Sequence, residues 1–297
     1  VGIFGKNREK KGMISELIRC ESDISTFAPR KVILIGAGAI EGSWEPIYDV
    51  MNDTRNNIAK EYKAAFNSKD KNNQIATYLA QVSLQLNSAI IQNFSTSLDI
   101  ITDEYIGKQL ENLIQRQILL QTYSKIIIQI SSSLQKTPLL PREQIKDIEN
   151  EIDDSTGVIV LNWDETIWKR TDKFKNVIQL HGKCSNPYSL ILPMETSFEK
   201  EFLTRLVKYE KINEGVRYVT AIHPIAFNWL HSAEEIISWG VAYNMYEAEL
   251  NQLLNSAFYQ QNRKPLAKIT NINTDESTNT TIAALMNFPR EKIKDCL

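Results

Sequence analysis

The segment KVILIGAG at residues 31–38 constrains this chain most. Lys31 to Ile35 is rich in β-branched residues and does not alternate apolar with polar, the pattern of a parallel strand buried on both faces. It ends at Gly36-Ala37-Gly38, where the lack of side chains lets backbone approach another backbone or a bound anion.

Other segments supply neighbours for that strand. Val158 to Leu161, Val177 to Leu180, Tyr188 to Leu192, Tyr218 to Ile222 and Ile236 to Val241 read as strands, with Leu266 to Ile272 as the last. Helices are predicted over Trp44 to Met51, Glu199 to Tyr209, Met245 to Tyr259 and Thr278 to Met286, with a short one over Gly12 to Cys20. Strands alternating with helices imply an α/β fold with a mostly parallel sheet flanked by helices.

The texture is different between residues 52 and 155. Between residues 52 and 154 Gly107 is the lone glycine, and proline is absent from 52 until Pro138. Ile75, Leu79, Val82 and Leu86 recur at helical spacing, as do Ile106, Leu110, Leu113 and Ile114, so a large all-helical insertion is predicted. Ile118 to Ile130 is apolar over more than one helix face, which reads as a buried helix or an assembly surface. The organisation is then an N-terminal segment at 1–29, an α/β domain built from 30–51 and 156–297, and the insertion at 52–155.

Composition removes several functions. A net charge of −2 gives no global field toward nucleic acid or anionic membrane. Cys20, Cys184 and Cys296 are too far apart for a CxxC zinc module and odd in number for a disulfide framework, as in a reducing compartment. No apolar run has membrane-spanning length, and Val1 to Phe4 is too short for a signal-peptide core. A cytoplasmic protein with no metal, no membrane contact and no direct nucleic-acid contact is expected.

Chemistry gathers at the ends of the predicted strands, where open α/β sheets bind ligands. The GAG turn is not the dehydrogenase fingerprint: Glu41 stands where the third glycine belongs, and Gly42 comes one residue late. A tight strand-to-helix turn is its alternative reading. In LNWDE, Asn162 offers an amide donor and a carbonyl acceptor for a ribose hydroxyl or a water, and Asp164 can anchor a loop or ribose. Here the alternative is a turn capping a helix that starts at Asp164. In LHGK, His181 can act as a general base, and Gly182 lets the chain turn away. His223 and His231 read as peripheral. SWGVA ends a strand at Gly240, with Glu247 at the next helix start, and ITNINTD carries Asn271 and Asn273.

This order of motifs resembles the sirtuin superfamily, in particular its bacterial anti-phage branch, over roughly residues 30–50 and 156–290. The resemblance implies a Rossmann-like domain that takes NAD as substrate. It makes Gly36, Ala37 and Gly38 the phosphate loop. Asn162 becomes the residue near the nicotinamide ribose, Asp164 its partner acid and His181 the catalytic histidine. Gly240 and Glu247 would form the later loop and its acid, and Asn271 or Asn273 would lie near the adenine ribose. Ile40, Val160 and Ala242 depart from the family's hydroxyl residues. The four-cysteine zinc module of deacetylating sirtuins is missing.

NAD hydrolysis to nicotinamide and ADP-ribose is therefore expected rather than deacylation, as a gated effector of anti-phage defence. The same resemblance implies a homo-oligomer and a partner such as a HerA-type ATPase or a short Argonaute. A non-catalytic NAD or ADP-ribose sensor that oligomerises is the alternative.

Overall fold

The computed structural model describes residues 17–20, 23–24, 26–41, 128, 131–132, 134–136, 140–163, 165, 172–191, 210–244 and 247–295, with backbone alone over 210–220. Its strands are β1 (Ile18–Arg19), β2 (Lys31–Ile35), β3 (Ile40–Glu41), β4 (Leu140–Pro141), β5 (Thr156–Val160), β6 (Val177–Gln179), β7 (Glu235–Trp239), β8 (Lys268–Ile272) and β9 (Ile293–Asp295). Its α-helices are α1 (Ile145–Asn150), α2 (Glu210–Ser232), α3 (Ala248–Phe258) and α4 (Thr278–Leu285).

Seven strands form one sheet in the order β1-β6-β5-β2-β7-β8-β9. β1 pairs antiparallel with β6, and every other pairing in this sheet is parallel. From β2 the chain builds β5 and β6 on one side, then returns to lay β7, β8 and β9 on the other. The strand order thus reverses at β2, and the carboxyl ends of β5, β2 and β7 flank that switch point, where crevices form in such sheets.

β2 is apolar throughout because both its faces are covered. Val32 and Leu34 join Ile159, Leu161, Ile178 and Ile236 in a core shared with Trp229 of α2, Leu250, Leu253 and Leu254 of α3 and Ile282 of α4. Ile33 and Ile35 face the other way, onto Val158, Val160, Phe174, Ile237, Trp239 and Ile148 of α1. Each fully buried Leu or Ile contributes about 2 kcal/mol from apolar burial, so the two faces together anchor the central strands.

A second, two-stranded sheet pairs Ile40 with Pro141 and Glu41 with Leu140. The chain therefore leaves the glycine turn at Glu41 and comes back beside it at Leu140. Among the described residues, no helix is long and apolar enough to cross a membrane.

Four sequence expectations are corrected. Tyr218 to Ile222 belongs to α2, because Ile222, Ala226, Trp229 and Leu230 repeat at helical spacing and are buried on the sheet. The β-branched local composition yields to that longer period. Tyr188 to Leu192 is not a strand: Pro187–Ser189 is a 3-10 turn, and Ile191 N–H folds back onto His181 O at 2.9 Å. The end of the Gly12–Cys20 helix is instead β1, which pairs with the edge of β6. Leu266 to Ile272 is not the last strand, since β9 follows it. The β9 sequence, IKD, has one apolar residue and among the described residues pairs with β8 alone, so it carries no pattern of its own. The helices over Trp44–Met51 and Glu199–Tyr209, most of the 52–155 insertion and Asp164 lie outside the described residues. So does Ile118–Ile130 apart from Ile128, which is exposed.

Candidate active site at the strand tips

The β2 tip is held against the β7 tip by main-chain contacts. Gly36 N–H donates to Trp239 O at 2.8 Å, Gly38 N–H to Gly240 O at 2.9 Å, and Ala39 N–H turns back to Gly36 O at 3.3 Å. A Cβ on Gly36 would lie 2.3 Å from Gly240 O, and one on Gly240 would lie 2.2 Å from Ala39 N. Gly240 also has φ of 63°, in the left-handed region that suits glycine. The glycines thus serve first to let two backbones touch. In this conformation the Gly36, Gly38 and Ala39 amides point into the protein rather than at an anion.

Asn162 follows β5, whose ladder with β2 is extended by Leu161 N–H donating to Ile35 O at 2.8 Å. Its buried side-chain Nδ2 donates to Gly36 O at 2.9 Å. The β5 tip is therefore tied to the glycine turn by the residue singled out in the sequence.

His181 follows β6. Its Nδ1 lies 2.7 Å from Leu161 O. A carbonyl only accepts, so Nδ1 carries the hydrogen and Nε2 carries the lone pair. Nε2 is buried and has no hydrogen-bond partner. Burial drives the imidazole pKa down to about 4, against a smaller opposing effect of the Leu161 carbonyl. His181 is therefore a neutral base at neutral pH. Gly182 makes the next turn possible: its φ is 78°, and a Cβ there would meet Ser189 O at 2.1 Å.

Glu247, just before α3, places Oε2 3.8 Å from His181 Nδ1. Burial raises its carboxyl pKa to about 7. The separation would suit an ion pair, but burial pushes both groups toward neutrality, and Nδ1–H is already given to Leu161 O. We therefore read a contact between mainly neutral groups below pH 7. Glu247 Oε2, like His181 Nε2, is buried without a hydrogen-bond partner.

The two asparagines separate. Asn271 Nδ2 donates to Thr278 Oγ1 at 2.9 Å and Asn279 Oδ1 at 2.7 Å, and Asn279 Nδ2 reaches Asp295 Oδ1 at 2.7 Å. That chain ties β8, α4 and β9 together and takes Asn271 away from the strand tips. Asn273 instead donates to Val241 O at 2.9 Å, next to Gly240. The structure thus gathers Gly36, Gly38, Asn162, His181, Gly240, Glu247 and Asn273 at the β6-β5-β2-β7-β8 tips, and leaves Asn271 outside that group.

Sequence reasoning missed three polar residues here. Tyr243 donates its hydroxyl to Ser238 Oγ at 2.8 Å, and both are buried. Tyr243 has φ of 53°, rare for a bulky side chain, so its surroundings enforce this placement. Burial pushes its phenol well above the ordinary range, with the Ser238 hydrogen bond opposing and the Glu247 charge adding to the shift. The signal available was Ser238, a lone polar residue inside the apolar run IISW. Glu165 is the third: it accepts Ser185 N–H at 3.0 Å and lies 3.6 Å from Lys183 Nζ, pinning the loop after His181. The adjacent Asp164 drew attention from it.

Among the described residues, no group of three His, Cys, Asp or Glu side chains is placed to hold a metal ion. No protein-family model, curated protein or solved structure matches this chain.

Proposed function

We propose that this chain is a sirtuin-like NADase with a Rossmann-like domain and a helical insertion leaving after β3. It hydrolyses NAD to nicotinamide and ADP-ribose. The observation that carries the reading is the joining of three strand tips at the switch point. Asn162 is fixed on Gly36 O, and His181 is fixed on Leu161 O with its Nε2 lone pair unengaged.

In this reading the C1′–N bond of the nicotinamide ribose breaks and its electron pair passes to the nicotinamide nitrogen, which loses its positive charge. Asn162 orients a water whose oxygen bonds to C1′, and Nε2 of His181 takes the water's proton. A neutral imidazole with Nδ1–H anchored is the form this step needs. Asn162 and His181 are only 6% and 7% exposed, which supports a gated site. Gating fits an effector of anti-phage defence that must stay silent until an oligomer forms or a HerA-type ATPase or short Argonaute partner engages it. Cytoplasmic location belongs to the same proposal.

The second reading, a non-catalytic NAD or ADP-ribose sensor, is favoured by one observation. The Gly36, Gly38 and Ala39 amides are engaged internally and are not presented to a phosphate. Purified full-length protein, alone and assembled with its co-expressed partner, is to be tested for NAD binding by calorimetry and for nicotinamide release. Release that is abolished in both Asn162→Ala and His181→Ala supports hydrolysis. Binding without release supports the sensor, and neither binding nor release overturns both.

A further inference from the structure

We propose that Glu247 is the positioning partner of His181, a buried carboxylate that stabilises the imidazolium formed when Nε2 takes a proton. The catalytic consequence rests on the hydrolase reading above, whereas the pairing itself does not.

The pair contains two unmet atoms. Glu247 Oε2 and His181 Nε2 are both buried without a hydrogen-bond partner, and Oε2 lies 3.8 Å from the other ring nitrogen. Other buried polar atoms among the described residues are also without a partner, so it is the close approach of carboxyl and imidazole that sets this pair apart. The ionisable groups nearest Glu247 and His181 in sequence have contacts of their own. Tyr243, from the loop after β7, gives its hydroxyl to Ser238 Oγ. Lys183, the nearest cation along the chain after His181, lies against Glu165 at 3.6 Å. Glu249, one residue into α3, faces His223 at 3.8 Å. Among the described residues, His181 is the basic group placed against Glu247, and the one on which it can act as a counter-charge.

The charges then balance. With Glu247 ionised and His181 neutral, the buried pair carries one negative charge. After Nε2 accepts a proton it carries none, so the transfer relieves the cost of a buried charge instead of creating one. Leu161 O holds Nδ1–H throughout, so the ring does not rotate and Nε2 remains the accepting atom. The carboxyl pKa of about 7 leaves a substantial ionised fraction at neutral pH.

The test uses full-length protein and needs no substrate. Long-range proton–nitrogen NMR follows the His181 ring nitrogens through a pH titration. In the wild type these shifts should show a step near pH 7 as Glu247 ionises, and the absence of that step overturns the proposal. In Glu247→Gln the step should vanish, and Glu247→Asp should restore one. A step retained in folded Glu247→Gln also overturns the pairing. NAD turnover is the second readout: Glu247→Gln should lower kcat at least tenfold with little change in KM and remove an acid limb near pH 7. Wild-type protein with the NMR step but no turnover under any assembly condition would refute the hydrolase reading and leave the pair standing. Turnover without the step would do the reverse.

Discussion

The side-chain amide of Asn162 donates to the main-chain oxygen of Gly36 at 2.9 Å, joining the tip of β5 to the turn that ends β2. The bond is buried, so its loss is felt in stability as well as at the site. In Asn162→Ala, Gly36 O keeps the longer bond from Ala39 N–H at 3.3 Å. Urea denaturation should register a loss of about 1 kcal/mol. A loss of NAD turnover far larger than that stability change would separate the chemical role from the structural one.

Gly240→Ala and Gly36→Ala should be far more damaging. Each new methyl would meet main-chain atoms of the facing loop at 2.2–2.3 Å, and main chain cannot swing aside as a side chain can. Gly240→Ala also forces alanine into positive φ. Destabilisation on the order of 3 kcal/mol or more is expected from thermal and urea melts. A variant with unchanged melting would contradict the backbone contact between the two turns.

The buried pair shapes stability against pH in opposite directions. His181 is lowered from 6.5 to about 4, so its contribution is complete above pH 6.5 and is lost as pH falls through 4. Glu247 is raised from 4.5 to about 7, so its contribution is complete below pH 4.5 and is lost as pH rises through 7. Between pH 4.5 and 6.5 the two slopes oppose, each about 1.4 kcal/mol per pH unit. Glu247→Gln removes one of them. Relative to that variant, wild-type protein should lose about 3 kcal/mol of stability between pH 4.5 and 7.5. Parallel curves from urea melts across that range would contradict the burial of an ionisable carboxyl.

Asn271 and Asn273 should part company experimentally. Asn271→Ala removes the donor to Thr278 and Asn279, and should cost about 1–2 kcal/mol with NAD affinity unchanged. Asn273→Ala frees Val241 O beside Gly240, and should weaken NAD binding at a smaller stability cost. Calorimetry and melting of both variants decide the matter. Weakened NAD binding in a folded Asn271→Ala protein would return that residue to the site.

Local sequence carried some elements clearly. β2 was legible to the residue, Lys31 to Ile35, because a strand buried on both faces must be apolar at every position. α3 was legible because Leu250, Leu253, Leu254 and Ala257 repeat on one face. Asn162, His181 and Gly240 were legible as strand-tip residues, since glycine and polar groups break apolar runs where a strand leaves its sheet.

Other features had no local signature. Tyr218 to Ile222 reads as a strand in a five-residue window and becomes helix only through packing over a longer span. Chain sequence alone determined which segments had to be buried and where the backbone needed glycine, because both follow from side-chain polarity and φ freedom. Tertiary structure alone decided the strand order, the seating of Gly240 on Gly36 and Gly38, and the meeting of His181 with Glu247. Those contacts join residues tens to hundreds of positions apart, and the shifted proton affinities of the imidazole and carboxyl arise from the water excluded around them, which no local stretch of sequence encodes.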